Sequence, residues 1–147
     1  MRLIRNVYPD ARAVVKRSPW NGTAVQASDG IHWTYALKEG QSNGTIGFGQ
    51  ETNVTGAVVV VMSDNPDAMS RGLEHATKLV STDTYVAALP NGAGSLALTL
   101  QHGPVTILGV AVYETEAVWD LVKSAYEAGE IPSPCVSGDW MPDPRQA

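Results

Sequence analysis

One cysteine, one phenylalanine and three histidines are all that the 147 residues hold of these types. A lone thiol, Cys135, forms no internal disulfide and no zinc cluster. It lies among prolines with no basic neighbour in sequence to lower its pKa, as a thiol nucleophile requires. His32, His75 and His102 lack any metal-ligand spacing such as His-Glu-x-x-His. They are expected as surface groups, on the polar face of a hairpin, on a helix flank and in a turn respectively. No apolar run approaches the ~20 residues of a membrane helix, so no membrane partner is expected. The opening Met1-Arg2-Leu3-Ile4-Arg5 leads to Asn6 and Pro9 without the apolar stretch of a signal peptide. Residence in a cytoplasm, or in a virion assembled there, is therefore the expectation. No serine lies in a Gly-x-Ser-x-Gly elbow. No helix-turn-helix, RNA-stacking motif, internal repeat or long linker is visible.

What remains is enough for a folded body. Hydrophobic residues make up 44% of the chain, which supports a core and excludes global disorder. With one Phe, that core must be filled by Val, Ala and Leu, with four Trp and five Tyr as its large pieces. The length is that of one domain.

Residues 11–17 read as a short strand stopped by Pro19. Thr23 to Ser28 and Ile31 to Leu37, joined by Asp29-Gly30, form the clearest hairpin, because Asp-Gly supplies the positive φ of a tight turn. Ala57 to Met62 is a continuous Val run, typical of a strand buried on both faces. Asn65-Pro66-Asp67 caps a helix expected over 65–80, with Met69, Leu73, Ala76 and Val80 at helical spacing. Three strands, 84–89, 95–100 and 105–113, read as an antiparallel meander. A second helix is expected over 115–128, with Val118, Leu121, Val122 and Ala125 inward, Gly129 as its cap and Pro132 as its stop. The fold class is thus α+β: one domain over residues 1–130, mainly antiparallel sheet with two helices. An extended Pro-rich tail follows over 131–147, where Pro132, Pro134, Pro142 and Pro144 forbid helix and sheet.

Three local patterns have structural explanations. Gly44 to Gly49 lacks the Lys-Ser/Thr ending of a phosphate loop and is followed by no helix, so close packing against another backbone is expected. Glu114, Glu116 and Asp120 favour the positive start of the second helix. Asn21-Gly22-Thr23, Asn43-Gly44-Thr45 and Asn53-Val54-Thr55 match the glycosylation pattern but read as turns.

Charge is distributed unevenly. Arg2, Arg5, Arg12, Lys16 and Arg17 face only Asp10 within residues 1–20, so this basic arm carries +4 and the remainder −9. The arm lacks interleaved aromatics and a suitable helix face, so nucleic acid is not the expected partner. A strand edge kept solvated by charge, or a contact with the acidic body of a neighbouring copy, accounts for it. At the other end Trp140 and Met141 are large apolar side chains on a segment without secondary structure of its own. Arg2, Arg5, Arg12, Lys16, Arg17, Trp140 and Met141 are accordingly the candidate interface residues. No catalytic, cofactor-binding or metal site is expected. A non-enzymatic structural subunit of a large multi-chain assembly follows, such as a phage decoration, connector or tail protein holding other protein subunits, alike or different, through its termini. The alternative is a small-molecule-binding or catalytic α+β domain whose site combines residues distant in sequence.

Overall fold

The computed structural model describes residues 4–70, 73–91, 94–100, 103–137 and 139–140. At its centre the valine run forms one strand of a six-stranded antiparallel sheet. The strand order is β2 (Gly22–Gln26), β3 (Trp33–Leu37), β10 (Val105–Tyr113), β5 (Val58–Ser63), β8 (Tyr85–Pro90) and β7 (Ala76–Ser81). A smaller antiparallel sheet joins β4 (Thr45–Gly47), β9 (Ala97–Thr99) and β6 (Leu73–Glu74). In a third, β1 (Ile4–Arg5) pairs with β11 (Asp139–Trp140). Two helices, α1 (Pro66–Ser70) and α2 (Glu116–Glu127), complete an α+β domain.

The large sheet separates two cores. On one face Val59, Val61, Val86, Val110 and Val112 pack with Ile46, Phe48 and Leu98 from and beside the small sheet. On the other, Val58, Val60, Tyr85, Ala111 and Tyr113 pack with Val118, Trp119 and Val122 of α2 and with Ile131, Cys135 and Val136. Alternate residues of β5 thus serve opposite cores, as the valine run requires. In core two Trp119 stacks on Tyr113 (centroids 6.0 Å, planes at 17°) and meets Tyr85 edge-on (5.5 Å, 81°).

Local chemistry explains α2 and the hairpin. The Thr115 hydroxyl accepts the Val118 N–H at 3.2 Å, and Gly129 takes the left-handed conformation (φ +76°) beyond the last turn. Between β2 and β3 the Asp29 carboxylate accepts the backbone N–H of Ile31 (2.8 Å) and of His32 (2.9 Å) and bonds His32 Nδ1.

Several expectations are corrected. The helix expected over 65–80 ends with α1 at Ser70, and residues 73–81 form β6 and β7. His75, with φ +65° between those strands, is not on a helix flank. Residues 11–17 form no strand, because the Asp10 carboxylate takes the N–H groups of Val14 and Val15 in a local turn. The expected meander is divided: β8 and β10 flank β5 in the large sheet, whereas β9 lies between β4 and β6. Within α2, Leu121 is exposed and Trp119 takes the inward place. Gly44 is confirmed as a close approach, since a methyl there would lie 2.4 Å from the Trp20 carbonyl oxygen.

Candidate interaction surface

The surface begins with an alternation in the N-terminal segment. Ile4, Asn6 and Tyr8 are buried, while Arg5 and Val7 between them are exposed. The segment is extended because it completes β10: β3 occupies that strand's edge at residues 105–107, and residues 6–11 occupy it further along. Val7 N–H donates to the Val112 carbonyl (3.1 Å) and Val110 N–H to the Ala11 carbonyl (3.0 Å). Asn6 locks the arrangement. Its amide nitrogen donates to the carbonyls of Val110 (3.1 Å) and Val136 (2.9 Å), and its oxygen accepts the N–H groups of Tyr8 (3.0 Å) and Val112 (2.9 Å). One side chain therefore joins the segment after β1, strand β10 and the stretch before β11, with its hydrogen-bonding capacity filled.

Two of the expected interface residues, Arg5 and Arg12, come together. With Val7, Tyr8, Val14 and Ser137 they line an open groove of about 600 Å³. Lys16 is exposed, with Nζ 5.7 Å from the centre of the Trp33 ring. Arg17 is turned inward: its Nε donates to the Gly47 carbonyl at 2.9 Å, and its N–H donates to the Tyr35 hydroxyl at 2.9 Å. Arg17 ties the arm to β4 and β3, so a positioning role is what its contacts describe. Trp140 pairs through its backbone with Ile4. Arg2 and Met141 lie outside the described residues, as does His102. Exposed apolar side chains follow the basic ones along the arm, with Val15 57% and Trp20 59% exposed.

The remaining chemistry-bearing groups are buried or dispersed. Burial pushes the Cys135 thiol well above its ordinary pKa, which leaves it protonated. Burial also raises Tyr113, whose hydroxyl donates to the Pro134 carbonyl (2.5 Å) and accepts the Val136 N–H (3.1 Å). Tyr8 is pushed up to about 12, chiefly by burial, and donates to the Phe48 carbonyl at 2.7 Å. The bond from His32 holds the exposed Asp29 carboxyl down at about 2. Glu114, Glu116 and Asp120 are exposed around the first turn of α2. No group of three or more His, Cys, Asp or Glu able to hold a metal occurs among the described residues. None of the described helices is long and apolar enough to cross a membrane.

The sequence alone does not single out Asn6. The signal for it was a single polar residue at an inward position between Ile4 and Tyr8, which acquires meaning only once Val110 and Val136 are beside it. No protein-family model, curated protein or solved structure matches this chain.

Proposed function

We propose that this chain is a non-enzymatic structural subunit of a large multi-chain assembly, of the decoration, connector or tail type found in phage virions. It meets neighbouring protein subunits through the outer surface of its N-terminal arm. The observation that carries this reading is the arm itself. It is fixed from within by Asn6 and Arg17, yet it presents Arg5, Val7, Arg12, Val14, Val15 and Lys16 to solvent. A rigid backbone with apolar side chains between basic heads loses little entropy on docking, and its charge suits the acidic body of another subunit. Residues 131–137 and β11 lie on their own domain, through Ile131, Cys135, Val136 and the pairing of β11 with β1. The arm therefore bears more of the proposed contact than these residues do.

The test is isolation of the protein from its native source without denaturation. A multi-chain particle is expected, and a species with the mass of one chain overturns the reading. Arg12→Glu and Val15→Asp should each reduce incorporation at least about tenfold while changing the stability of the isolated chain by no more than about 0.5 kcal/mol. One observation favours a ligand-binding domain instead: a groove of about 600 Å³ with two arginines on its wall has the size of a small-molecule site. Saturable binding of an organic phosphate, lost in Arg12→Glu, would support that second reading.

A further inference from the structure

One large apolar side chain of α2 points away from the sheet. Leu121 is 46% exposed, while Val118, Trp119 and Val122 of the same helix are buried in the second core. Ala117 stands four residues before it and Ser124 three after, both small and exposed, so Leu121 is a lone knob on this face. Beside it runs an acidic row. Glu116, Asp120 and Glu127 are spaced by four and seven residues, which places them in one helical stripe, and all three are exposed. Glu127 lies in the last turn, where the helix dipole disfavours a carboxylate, so the dipole does not account for the row. Together with Glu114 these acids face a single lysine, Lys123, and none of the five enters an ion pair among the described residues.

The groove on the arm has the opposite properties. It is concave, with exposed Val7 and Val14 as apolar walls and Arg5 and Arg12 as basic ones. The carboxylate of Asp10, the one acid that lines it, already accepts the N–H groups of Val14 and Val15. Arg12 enters no ion pair among the described residues. We infer that this groove receives the outer face of α2 from a second copy, head to tail; the inference rests on the assembly reading. Leu121 enters between Val7 and Val14, and the acidic row lies along the side where Arg12 stands, an apolar anchor beside charge pairs. The arm lies on the β10 edge whereas α2 covers the broad face of the sheet, so one molecule cannot bring the two surfaces together. Another acidic surface fits the groove less well. The hollow lined by Asp64, Asp67, Ser81, Thr82 and Asp83 is itself concave and offers no apolar side chain to Val7 and Val14. Because groove and helix are different surfaces, each copy gives its helix to one neighbour and its groove to another. Such a series closes into a ring or continues as a filament.

The test uses the full chain in sedimentation velocity over a range of protein and salt concentrations. Self-association that grows with protein concentration and falls as salt is raised is expected. Arg12→Glu spoils the groove, and Leu121→Glu spoils the helix by setting a carboxylate between Val7 and Val14. Each should weaken self-association at least about tenfold with an unchanged circular dichroism spectrum; Leu121→Ala serves if Leu121→Glu does not fold. An equimolar mixture of the two variants keeps one sound helix and one sound groove. It should form a one-to-one dimer that grows no further, a rescue that an interface between identical faces does not give. A wild-type chain that is monomeric at every concentration, a folded Leu121 variant that associates unchanged, or a mixture that stays monomeric overturns the proposal. Leu121→Glu copies that still enter a native particle defeat the helix contact and leave the assembly reading intact. A dimer in the mixture without any larger native species does the reverse.

Discussion

Asn6 shows how much can depend on a single polar side chain. Its four bonds link backbone groups from residues 8, 110, 112 and 136 in a buried place where water cannot take over. Asn6→Ala leaves those groups short of partners, and a buried group left unpaired costs about 1–3 kcal/mol. The expected loss is roughly 3 kcal/mol or more in urea unfolding; a loss below about 1 kcal/mol would show that the network is dispensable. Tyr85 presents the opposite case. Its hydroxyl is buried with no hydrogen-bond partner among the described residues, while its ring packs edge-on against Trp119 and Tyr126. Tyr85→Phe keeps the ring contacts and removes the unpaired oxygen, so thermal unfolding should show stability equal to that of the parent or up to about 1 kcal/mol higher. A clear destabilisation would reveal a partner for that hydroxyl.

The elements most legible in the sequence are those whose signals are local. The hairpin of β2 and β3, the buried strand β5 and helix α2 each follow from a turn residue, a valine run or a capped periodicity. Residues 73–81 carry a helical spacing without forming a helix, for a definable reason. Ala76 and Val80 are four apart, as on one helix face, but the bulge after Lys78 turns them to opposite sides of the sheet. Ala76 packs toward the first core and Val80 toward the second. The helical spacing was therefore made by two different environments. The division of β8, β9 and β10 between two sheets was also hidden, because short turns do not state which sheet the next strand will join. Of the candidate surface, the basic arm was visible as composition, whereas the inward role of Arg17 and the linking role of Asn6 depend on residues far away in sequence. Helix α2 offers a direct comparison. Trp119→Ala should cost about 3–5 kcal/mol, and Leu121→Ala, on the exposed side, less than about 0.5 kcal/mol. Denaturant midpoints measured side by side distinguish them, and similar losses would mean that the inward face is drawn wrongly.

In the whole molecule, residues 131–137 belong to the body. Ile131, Cys135 and Val136 are part of the second core, Pro134 and Val136 bond Tyr113, and Val136 bonds Asn6. A boundary at residue 130 therefore cuts through packed structure. A chain ending at Glu130 is expected to lose cooperative unfolding, whereas one ending at Ser137 should retain it with a modest fall in melting temperature. Near-ultraviolet circular dichroism during heating checks both, and an intact Glu130 truncation would show that these contacts add little.

The Asn6 network also sets an order on the protein's own synthesis. The segment that completes β10 is translated about a hundred residues ahead of that strand, and further still ahead of Val136. Until both have left the ribosome, Ile4 and Tyr8 have no native site to enter. Closure of both cores therefore waits for those later residues, and the nascent chain keeps the segment around Asn6 accessible to chaperones until then.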